Sequence, residues 1–325
     1  MDNVTRNPGD GHGDYEIHMY CGATVNREGV SEYSLDETMA HVLAALRCAK
    51  EIHQNSIWIF DKKLHRKEVM DNYVETHMNQ AIRDREFKLF LQPKISLQTE
   101  KVSGAEALVR WIKSDGEMIY PDQFIPLFES NGFCIRLDMY MFESVCRQIR
   151  EWMDRGLTPV PVSVNQSKRV IYEKDYLNDL TAVIEKYQVP ANLITLEILE
   201  GLALENVDEF NRKIEELQKR GFRVSLDDFG TEYSSFSTFS KLQVDELKLD
   251  RWFLKEMNSG KNRKIMLVME EIVQIAHKLN ISTVVEGVET PEDHRLIREM
   301  QCDYGQGFYY SRPVSAQDFT QIYLE

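Results

Sequence analysis

Six residues with carboxylate or amide side chains recur at one kind of position in this chain, at or near the end of a short apolar run that is typical of a buried strand. They are Glu106, Asn165, Glu197, Asp227, Asp228 and Glu286. Burying an unpaired carboxylate is costly, so a row of them that converges on one place needs a cation. All six offer the hard oxygen donors that suit Mg²⁺ or Mn²⁺ rather than zinc. The pattern therefore predicts a metal site at the C-terminal rim of a parallel α/β barrel.

The adjacent acids Asp227 and Asp228 predict that two ions are bound. Consecutive residues of a strand face opposite sides, but at the end of a strand both can reach the rim. The first carboxylate would then bridge the two ions and the second would bind one of them. Two ions about 3.5–4 Å apart clamp the attacking and leaving oxygens of a phosphoryl transfer. Taken singly, each of the six residues is more simply a capping or salt-bridged group, whereas the six together favour the metal site.

Three further side chains of these strands could act on a phosphate or a base. Lys248 lies two residues before Asp250 in DELKLD, so strand alternation points both into the barrel mouth. There Lys248 could orient or deprotonate a metal-bound water or neutralise a phosphate, and a buried Lys248–Asp250 ion pair is the alternative. Arg110 follows Glu106 by four residues on the same face, where its guanidinium suits bidentate phosphate binding. Gln92 ends the first apolar run and could contact a base edge, although a structural role is the simpler interpretation.

The remaining candidates lie in the loops of the rim. The segment DDFGTEYSSFSTF follows the fifth strand and predicts a mobile loop with metal ligands at its root. Glu200 could anchor this loop through backbone N–H groups, or it could cap a helix. Glu289 and Gln306 complete the rim, and the glycines on both sides of Gln306 let the backbone approach a ligand closely. Solvated loop residues are the alternative for both.

The elements that must position these residues follow a regular order. From residue 87 onward, eight apolar runs alternate with amphipathic helices, among them 136–155, 206–220 and 262–280. This alternation predicts a (β/α)8 barrel over residues 87–325, with an open doubly wound sheet as the alternative. Only LQTEKVSG separates the first two strands, which is too short for a crossover helix. We therefore expect the first strand to be antiparallel in a modified TIM barrel.

The bulk composition excludes several classes of function. The net charge of −14 argues against binding to a nucleic-acid polymer or to anionic lipid. The five cysteines have no metal-binding spacing, which predicts reduced thiols in a cytoplasmic protein. No apolar run approaches the length that a bilayer requires, so we expect no membrane segment in this chain, although it could be the cytoplasmic part of a longer signalling protein.

Eight motifs now identify a family resemblance that covers about residues 85–325. They are FLQPKI, EALVRW, VNQS, LEILE, DDFGTEYSS, ELKLD, VEGVET and GQGFYYSRP, in this order. Together they closely resemble the EAL family of cyclic di-GMP phosphodiesterases, whose name is written here as Glu106-Ala107-Leu108. The resemblance implies a modified TIM barrel that hydrolyses cyclic di-GMP to linear pGpG by in-line attack of a water activated by two Mg²⁺ or Mn²⁺ ions. It also implies a homodimer.

The same resemblance assigns roles to the candidate residues. The implied metal ligands are Glu106, Asn165, Glu197, Asp227, Asp228 and Glu286. Lys248 would assist the hydrolytic water, with Glu289 and Gln306 supporting water and substrate. The implied substrate contacts are Arg110 with a phosphate and Gln92 with a guanine, and we add Asp250 to this substrate site. Glu200 would hold the loop that links metal binding to dimerisation.

Two positions depart from the family pattern. Leu199 stands where a threonine is usual, and Glu232 replaces the second glycine of DFGTGYSS. If that glycine needs a positive φ, glutamate costs about 1 kcal/mol in strain. Neither change removes a metal ligand, so we expect an enzyme, and we expect Glu232→Gly to raise its activity. A cyclic di-GMP receptor without turnover, or a scaffold acting through protein contacts, is the alternative.

The N-terminal part resembles a different domain. Residues 1–15 are predicted to be disordered, and MYCGATV, the helix ending LRCAK and SIWIFD resemble the closing strand–helix–strand of a GGDEF diguanylate cyclase. The signature Gly-Gly-Asp-Glu-Phe is absent, which implies that this chain cannot synthesise cyclic di-GMP. We therefore interpret 1–62 as a GGDEF-like remnant and 63–86 as a connector helix.

Overall fold

The computed structural model of this chain describes residues 4–6, 15–25, 34–51, 55–60, 62–205, 207–230, 241–258 and 263–325. The chain divides into two compact units, Met1–Asn79 and Gln80–Glu325.

The described residues of the first unit form two small sheets, one helix and most of a second helix. Strand β1 (Val4–Arg6) pairs antiparallel with β2 (Tyr15–Ile17), and β3 (Tyr20–Ala23) pairs parallel with β4 (Ser56–Ile59). Strand β1 lies within residues 1–15, whose disorder stays a prediction. The run MYCGATV forms β3.

Helix α1 (Leu35–Glu51) connects β3 to β4 and begins directly after Ser34. Ser34 Oγ accepts a hydrogen bond from Glu37 N at 3.2 Å, and Glu37 Oε2 accepts one from Ser34 N at 2.7 Å. This reciprocal pair is a capping box. Helix α1 packs so closely on β3 that a Cβ at Gly22 would overlap the backbone of Val42 and Leu46. Helix α2 (Lys62–Arg83) follows β4 and corresponds to the predicted connector helix. The assignment of 1–62 as a GGDEF remnant stays a prediction.

The second unit is a closed barrel of eight strands, as predicted. Its strands are β5 (Phe87–Ser96), β6 (Val102–Ile112), β8 (Val162–Gln166), β9 (Ile194–Leu199), β10 (Arg223–Phe229), β11 (Glu246–Leu249), β12 (Ser282–Val285) and β13 (Tyr304–Gly305). They pair in this order, and β13 pairs with β5 to close the ring. Strand β5 is antiparallel to both of its neighbours, and the other barrel strands are mutually parallel. The open doubly wound sheet is therefore wrong for this chain.

Two short strands and a set of helices surround the barrel. The short strands are β7 (Met118–Ile119), which pairs antiparallel with β6, and β14 (Val314–Ser315), which pairs with β5. The helices are α3 (Pro121–Asn131), α4 (Cys134–Asp154), α5 (Lys168–Ile171), α6 (Tyr176–Tyr187), α7 (Glu200–Glu205), α8 (Val207–Lys219), α9 (Trp252–Asn258), α10 (Arg263–Lys278), α11 (Pro291–Glu299) and α12 (Ala316–Tyr323). The three helices predicted from periodicity correspond to α4, α8 and α10. No helix of the described ranges is both long and apolar enough to cross a bilayer.

Strand β5 carries a proline in its middle, and its pairing explains why this is tolerated. On one side Pro93 lies opposite Ala105 of β6. On the other side β13 pairs with Ile95 and Ser96, while β14 pairs with residues 90 and 91. Pro93 falls in the gap between these two short strands, so its missing N–H removes no hydrogen bond from the ladder.

The barrel strands alternate apolar and polar residues, and this alternation builds the site. On β9 the residues Ile194, Leu196 and Ile198 are fully buried and alternate with Thr195 and Glu197. The apolar set faces the helices, and the polar set points into the barrel, where Glu197 meets lysines from other strands. Barrel interiors of this type are usually filled by Val, Ile and Leu. Here the interior is lined by charged and hydroxyl groups instead.

Candidate active site

Lys248 lies at the centre of the barrel mouth, the end at which the parallel strands terminate. Its side chain is 1% exposed. Its Nζ atom lies 2.7 Å from Glu286 Oε1, 2.9 Å from Asp227 Oδ1, 3.0 Å from Glu197 Oε2 and 3.6 Å from Glu106 Oε2. We refer to these four acids as the carboxylate cluster. The sequence-based alternative of a Lys248–Asp250 ion pair is replaced by this larger arrangement.

The charges of the cluster shift one another's ionisation. Burial raises the pKa of Glu106 to about 8; Lys248 opposes this rise, and the neighbouring carboxylates add to it. Burial would also raise the pKa of Glu197, but Lys248 and Lys94 outweigh it and bring the pKa down to about 2. For Lys248 itself burial favours the neutral amine, yet the surrounding acids hold its pKa well above the ordinary value. The mouth thus concentrates more negative charge than one lysine neutralises.

The donors that a divalent cation needs are present on one side of this cluster. Asp227, Asp228 and Glu286 each offer a carboxylate oxygen, and these oxygens lie within 4.8 Å of one another. Three hard oxygen donors at this separation suit Mg²⁺ or Mn²⁺. Burial, together with the charge of Asp227, raises the pKa of Asp228 to about 6. The residues present therefore fit the metal that the sequence predicts.

A break in the strand ladder explains how two consecutive acids reach the same site. The pairing of β10 with β11 shifts register between Leu226 and Phe229. Within this irregularity Asp228 adopts a φ of 58°, in the left-handed region, and its N–H donates to Asp227 Oδ1 at 2.9 Å. The reversal of the backbone turns the second carboxylate back toward the first. Without it, alternation would point Asp228 away from the mouth.

A chain of amides orients Glu106 on the other side of the cluster. Asn165 Nδ2 donates to Glu106 Oε1 at 3.2 Å, and Gln306 Nε2 donates to Glu106 Oε2. Gln306 Nε2 also lies 3.2 Å from Gln92 Oε1, and Gln92 Nε2 donates to Ser311 O at 3.1 Å. Gln306 Oε1 is buried without a hydrogen-bond partner among the residues that the structure describes. Since buried acceptors are normally paired, this atom is available to a ligand.

A cavity of about 270 Å³ opens above these groups. Its lining residues are Gln92, Glu106, Leu108, Asp227, Lys248, Arg251, Glu286, Gly287, Glu289, Gln306, Gly307 and Phe308. The cavity therefore collects seven of the residues that the sequence singles out. Asn165, Glu197 and Asp228 lie beside it through their contacts with the cluster.

The two other predicted substrate contacts lie outside the lining of this cavity. Arg110 is half-buried; its Nη1 donates to Val109 O at 2.8 Å and its guanidinium lies 5.8 Å from the Phe90 ring centroid. Asp250 follows the end of β11, where its Oδ1 accepts a hydrogen bond from Trp252 N at 2.8 Å at the start of α9. Asp250 also helps to raise the pKa of Asp228, so the two carboxylates are close.

Glu200 contacts the residue that follows β10. It is 2% exposed, and its Oε2 accepts a hydrogen bond from Gly230 N at 3.1 Å. Its role as an anchor of the loop stays a prediction. The rest of the loop, with Glu232, lies outside the described residues. Leu199, the other departure from the family pattern, is 43% exposed at the end of β9.

Sequence reasoning missed Lys94, Glu246 and Arg251. Lys94 contacts Glu197 and Glu246 inside the barrel, and Arg251 lines the cavity. A signal for the first two exists, because Lys94 lies two residues after Gln92 and Glu246 lies two residues before Lys248. Each therefore shares an inward face with a predicted site residue in a run that is otherwise buried.

Comparison with known proteins places this site in a family. The model of the EAL domain family matches residues 75–313. The match covers most of the chain, and the chain belongs to the EAL domain family.

Its relatives include both curated proteins and solved structures. The signalling protein YkoW of Bacillus subtilis is 30% identical over 289 residues, which cover 89% of this chain and 36% of YkoW. The cyclic di-GMP phosphodiesterase NbdA of Pseudomonas aeruginosa is 31% identical over 303 residues, 91% of this chain and 38% of NbdA. The chain thus spans well under half the length of either protein.

The matches to solved structures span nearly the full length of those structures. The structure of the PaMucR phosphodiesterase in complex with cyclic di-GMP has a TM-score of 0.71 and 30% identity, and the match covers 76% of this chain and 99% of that one. An EAL domain protein from Listeria monocytogenes has a TM-score of 0.62 and 27% identity, covering 77% of this chain and 97% of that one.

Proposed function

We propose that this chain hydrolyses cyclic di-GMP to linear pGpG. The observation that carries the proposal is the carboxylate cluster around Lys248 at the mouth of an EAL-family barrel. Every oxygen-donor residue that the family resemblance requires is present. A relative named as a cyclic di-GMP phosphodiesterase and a similar structure that contains cyclic di-GMP support the choice of substrate.

We further propose that the site binds two Mg²⁺ or Mn²⁺ ions. The proposed ligands are Glu106, Asn165, Glu197, Asp227, Asp228 and Glu286. When bound, the cations supply Lewis acidity to the scissile phosphate and lower the pKa of the attacking water. The oxygen donors of Asp227, Asp228 and Glu286 are close enough to share a cation, which supports this assignment.

The protein's own groups hold the reactants in place. Lys248 carries a proton and faces the cluster, so it can donate hydrogen bonds to the attacking water or to a phosphate oxygen. Gln306 Oε1 offers a buried acceptor in the cavity, while the amide nitrogen of the same residue keeps Glu106 in orientation. Glu289 lines the cavity, and its backbone N–H donates to Asp293 Oδ2 at 3.1 Å, which fixes the turn that presents its carboxylate.

Binding of the dinucleotide would extend beyond the metals. We assign Gln92 to a guanine, Arg110 to a phosphate and Asp250 to the substrate site, in keeping with their positions around the mouth. The cavity of about 270 Å³ is smaller than typical pockets that enclose a whole drug-sized ligand. The substrate would therefore place one phosphodiester in the cavity and leave part of its nucleotides on the rim.

The test is incubation of the chain with cyclic di-GMP and Mg²⁺ or Mn²⁺, followed by chromatography. We expect linear pGpG as the product, and we expect none with EDTA or with the Asp227→Asn variant. Binding of cyclic di-GMP without any turnover would overturn the enzyme and favour the receptor instead. Absence of both binding and turnover would contradict the substrate.

The homodimer implied by the family resemblance is a separate proposal. Light scattering of the purified chain tests it, with twice the chain mass of 38.0 kDa as the expected result. Loss of the loop anchor in Glu200→Ala is expected to weaken both the dimer and the activity if the loop links them.

A further inference from the structure

A second lysine is buried inside the barrel, below the carboxylate cluster. Lys94 of β5 is 4% exposed. Its Nζ atom lies 2.7 Å from Ser163 Oγ, 3.0 Å from Glu197 Oε1 and 2.7 Å from Glu246 Oε1. These contacts join strands β5, β8, β9 and β11. We refer to Lys94, Ser163 and Glu246 as the lower network.

Glu197 is the residue at which the lower network meets the metal site. Its Oε1 atom accepts a hydrogen bond from Lys94, and its Oε2 atom accepts one from Lys248, each at 3.0 Å. Its side chain has no exposed surface. The carboxylate is thus fixed by two ammonium groups, one below it and one at the mouth. Oε2 shares Lys248 with the other acids of the carboxylate cluster, whereas Oε1 shares Lys94 with Glu246.

Glu246 balances the positive charge of Lys94. It is 5% exposed and forms its ion pair with Lys94, while Lys248 lies two residues along the same strand. A buried ion pair of this kind contributes little net stability compared with well-packed apolar residues. In return it fixes the direction in which each charged group points. The strand ladder places Glu197 and Glu246 at the same level of the barrel, because Ser225 of β10 pairs with Glu197 on one side and with Glu246 on the other.

We propose that Lys94 is a positioning residue for the metal site, and this rests on the proposed function. By holding Glu197 Oε1 within the barrel, Lys94 leaves Oε2 as the single oxygen that Glu197 can give to a cation. Glu246 and Ser163 hold Lys94 in the place where it does this. The groups that support a metal ligand commonly set its orientation and basicity, and their loss weakens metal binding.

The test uses the full chain and compares a single variant, a double variant and a control variant with the wild type. Lys94→Met removes the charge but leaves Glu246 buried without its partner, so it can fail to fold. The double variant Lys94→Met/Glu246→Gln removes one positive and one negative charge and keeps the side-chain volumes. Lys219→Met, which loses one ion pair on the exposed surface of α8, is the control.

The first readout is Mn²⁺ binding, measured by electron paramagnetic resonance of the free ion without substrate. We expect the double variant to bind Mn²⁺ about 10- to 100-fold more weakly than the wild type and the control to bind normally. The second readout is turnover of cyclic di-GMP at saturating Mn²⁺, where we expect kcat to fall while KM stays close to that of the wild type.

The outcomes separate the two proposals. A folded double variant with wild-type Mn²⁺ affinity and wild-type kcat overturns the role of Lys94. A double variant that loses thermal stability but keeps its Mn²⁺ affinity also overturns it, because the role is then structural. If the wild type binds Mn²⁺ and leaves cyclic di-GMP intact, the proposed function fails while the affinity comparison still tests Lys94. A wild type that binds no Mn²⁺ overturns both.

Discussion

The ammonium group of Lys248 lies 2.7 Å from Glu286 Oε1, closer than to any of the other three acids of the carboxylate cluster. Lys248 is level with Val284 in the ladder between β11 and β12, and Glu286 follows that residue by two. The lysine is therefore held beneath the end of the neighbouring strand. Its charge partly neutralises a group of acids that a divalent cation would otherwise have to neutralise alone.

The Lys248→Met variant tests whether Lys248 and a divalent cation share the neutralisation of the carboxylate cluster. We expect the melting temperature in EDTA to fall, because removing one partner of a buried ionic group costs about 3–5 kcal/mol. We expect Mn²⁺ to raise the melting temperature of the variant by more than it raises that of the wild type, since the acids then lack their lysine. Turnover should fall by about 10²-fold or more. Differential scanning fluorimetry measures the first two effects, with Lys219→Met as the control; equal shifts in the variant and the wild type would argue against the shared neutralisation.

Asp228 combines a proposed ligand role with an unusual backbone conformation. Its φ of 58° suits asparagine at least as well as aspartate, whereas alanine pays about 1–2 kcal/mol for this conformation. We therefore expect Asp228→Asn to be at least as stable as the wild type, and more stable above about pH 6, because it removes a carboxylate whose pKa burial and Asp227 raise to about 6, and we expect it to lose most activity. Asp228→Ala should lose the activity and, in addition, stability. Urea unfolding in EDTA tests the pair, and equal stability of the two variants would remove the argument from backbone strain.

Gly230 should tolerate no side chain at the root of the loop. Its φ is +98°, and an added Cβ would overlap the ring of Phe253. Gly116 is a matched control, because its φ is +89° and nothing lies within 4 Å of an added Cβ. We expect Gly116→Ala to cost about 1–2 kcal/mol from strain alone. Gly230→Ala should cost more and should also lower turnover, since Gly230 N donates to Glu200. Urea unfolding and activity assays measure both effects; an equal loss of stability in the two variants would show that the contact with Phe253 is unimportant.

Asp138 of α4 should make the stability of the chain depend on pH. Burial raises the pKa of Asp138 from 3.8 to about 6, even though its Oδ2 accepts a hydrogen bond from Ser167 N at 2.9 Å. The folded state therefore favours the protonated acid, and its contribution to stability is present below about pH 4 and is lost as the pH rises through about 6. Asp138→Asn keeps an acceptor for Ser167 and removes the ionisation.

We therefore expect Asp138→Asn to be more stable than the wild type at pH 8, by up to about 3 kcal/mol, and similar to it near pH 4. Urea unfolding at the two pH values measures the difference. A variant that is less stable than the wild type at pH 8 would show that the charged form of Asp138 stabilises the fold.

Much of the barrel could be predicted because its strands follow simple rules. Each strand run ends where the structure ends it to within a few residues, and the short link LQTEKVSG correctly predicts the antiparallel β5. The lower network could not be predicted in the same way, because Lys94 and Glu246 are 152 positions apart and nothing local pairs them. The left-handed backbone at Asp228 was also beyond the sequence, since aspartate adopts that conformation only where tertiary structure requires it.

We propose above all that the acids at the mouth of this barrel bind divalent cations for the hydrolysis of cyclic di-GMP. Anomalous diffraction from crystals soaked in Mn²⁺ tests it most directly. We predict anomalous density between Asp227, Asp228 and Glu286, which disappears in Asp227→Asn crystals. Mn²⁺ density only at other places on the surface, or none at all, would contradict the account.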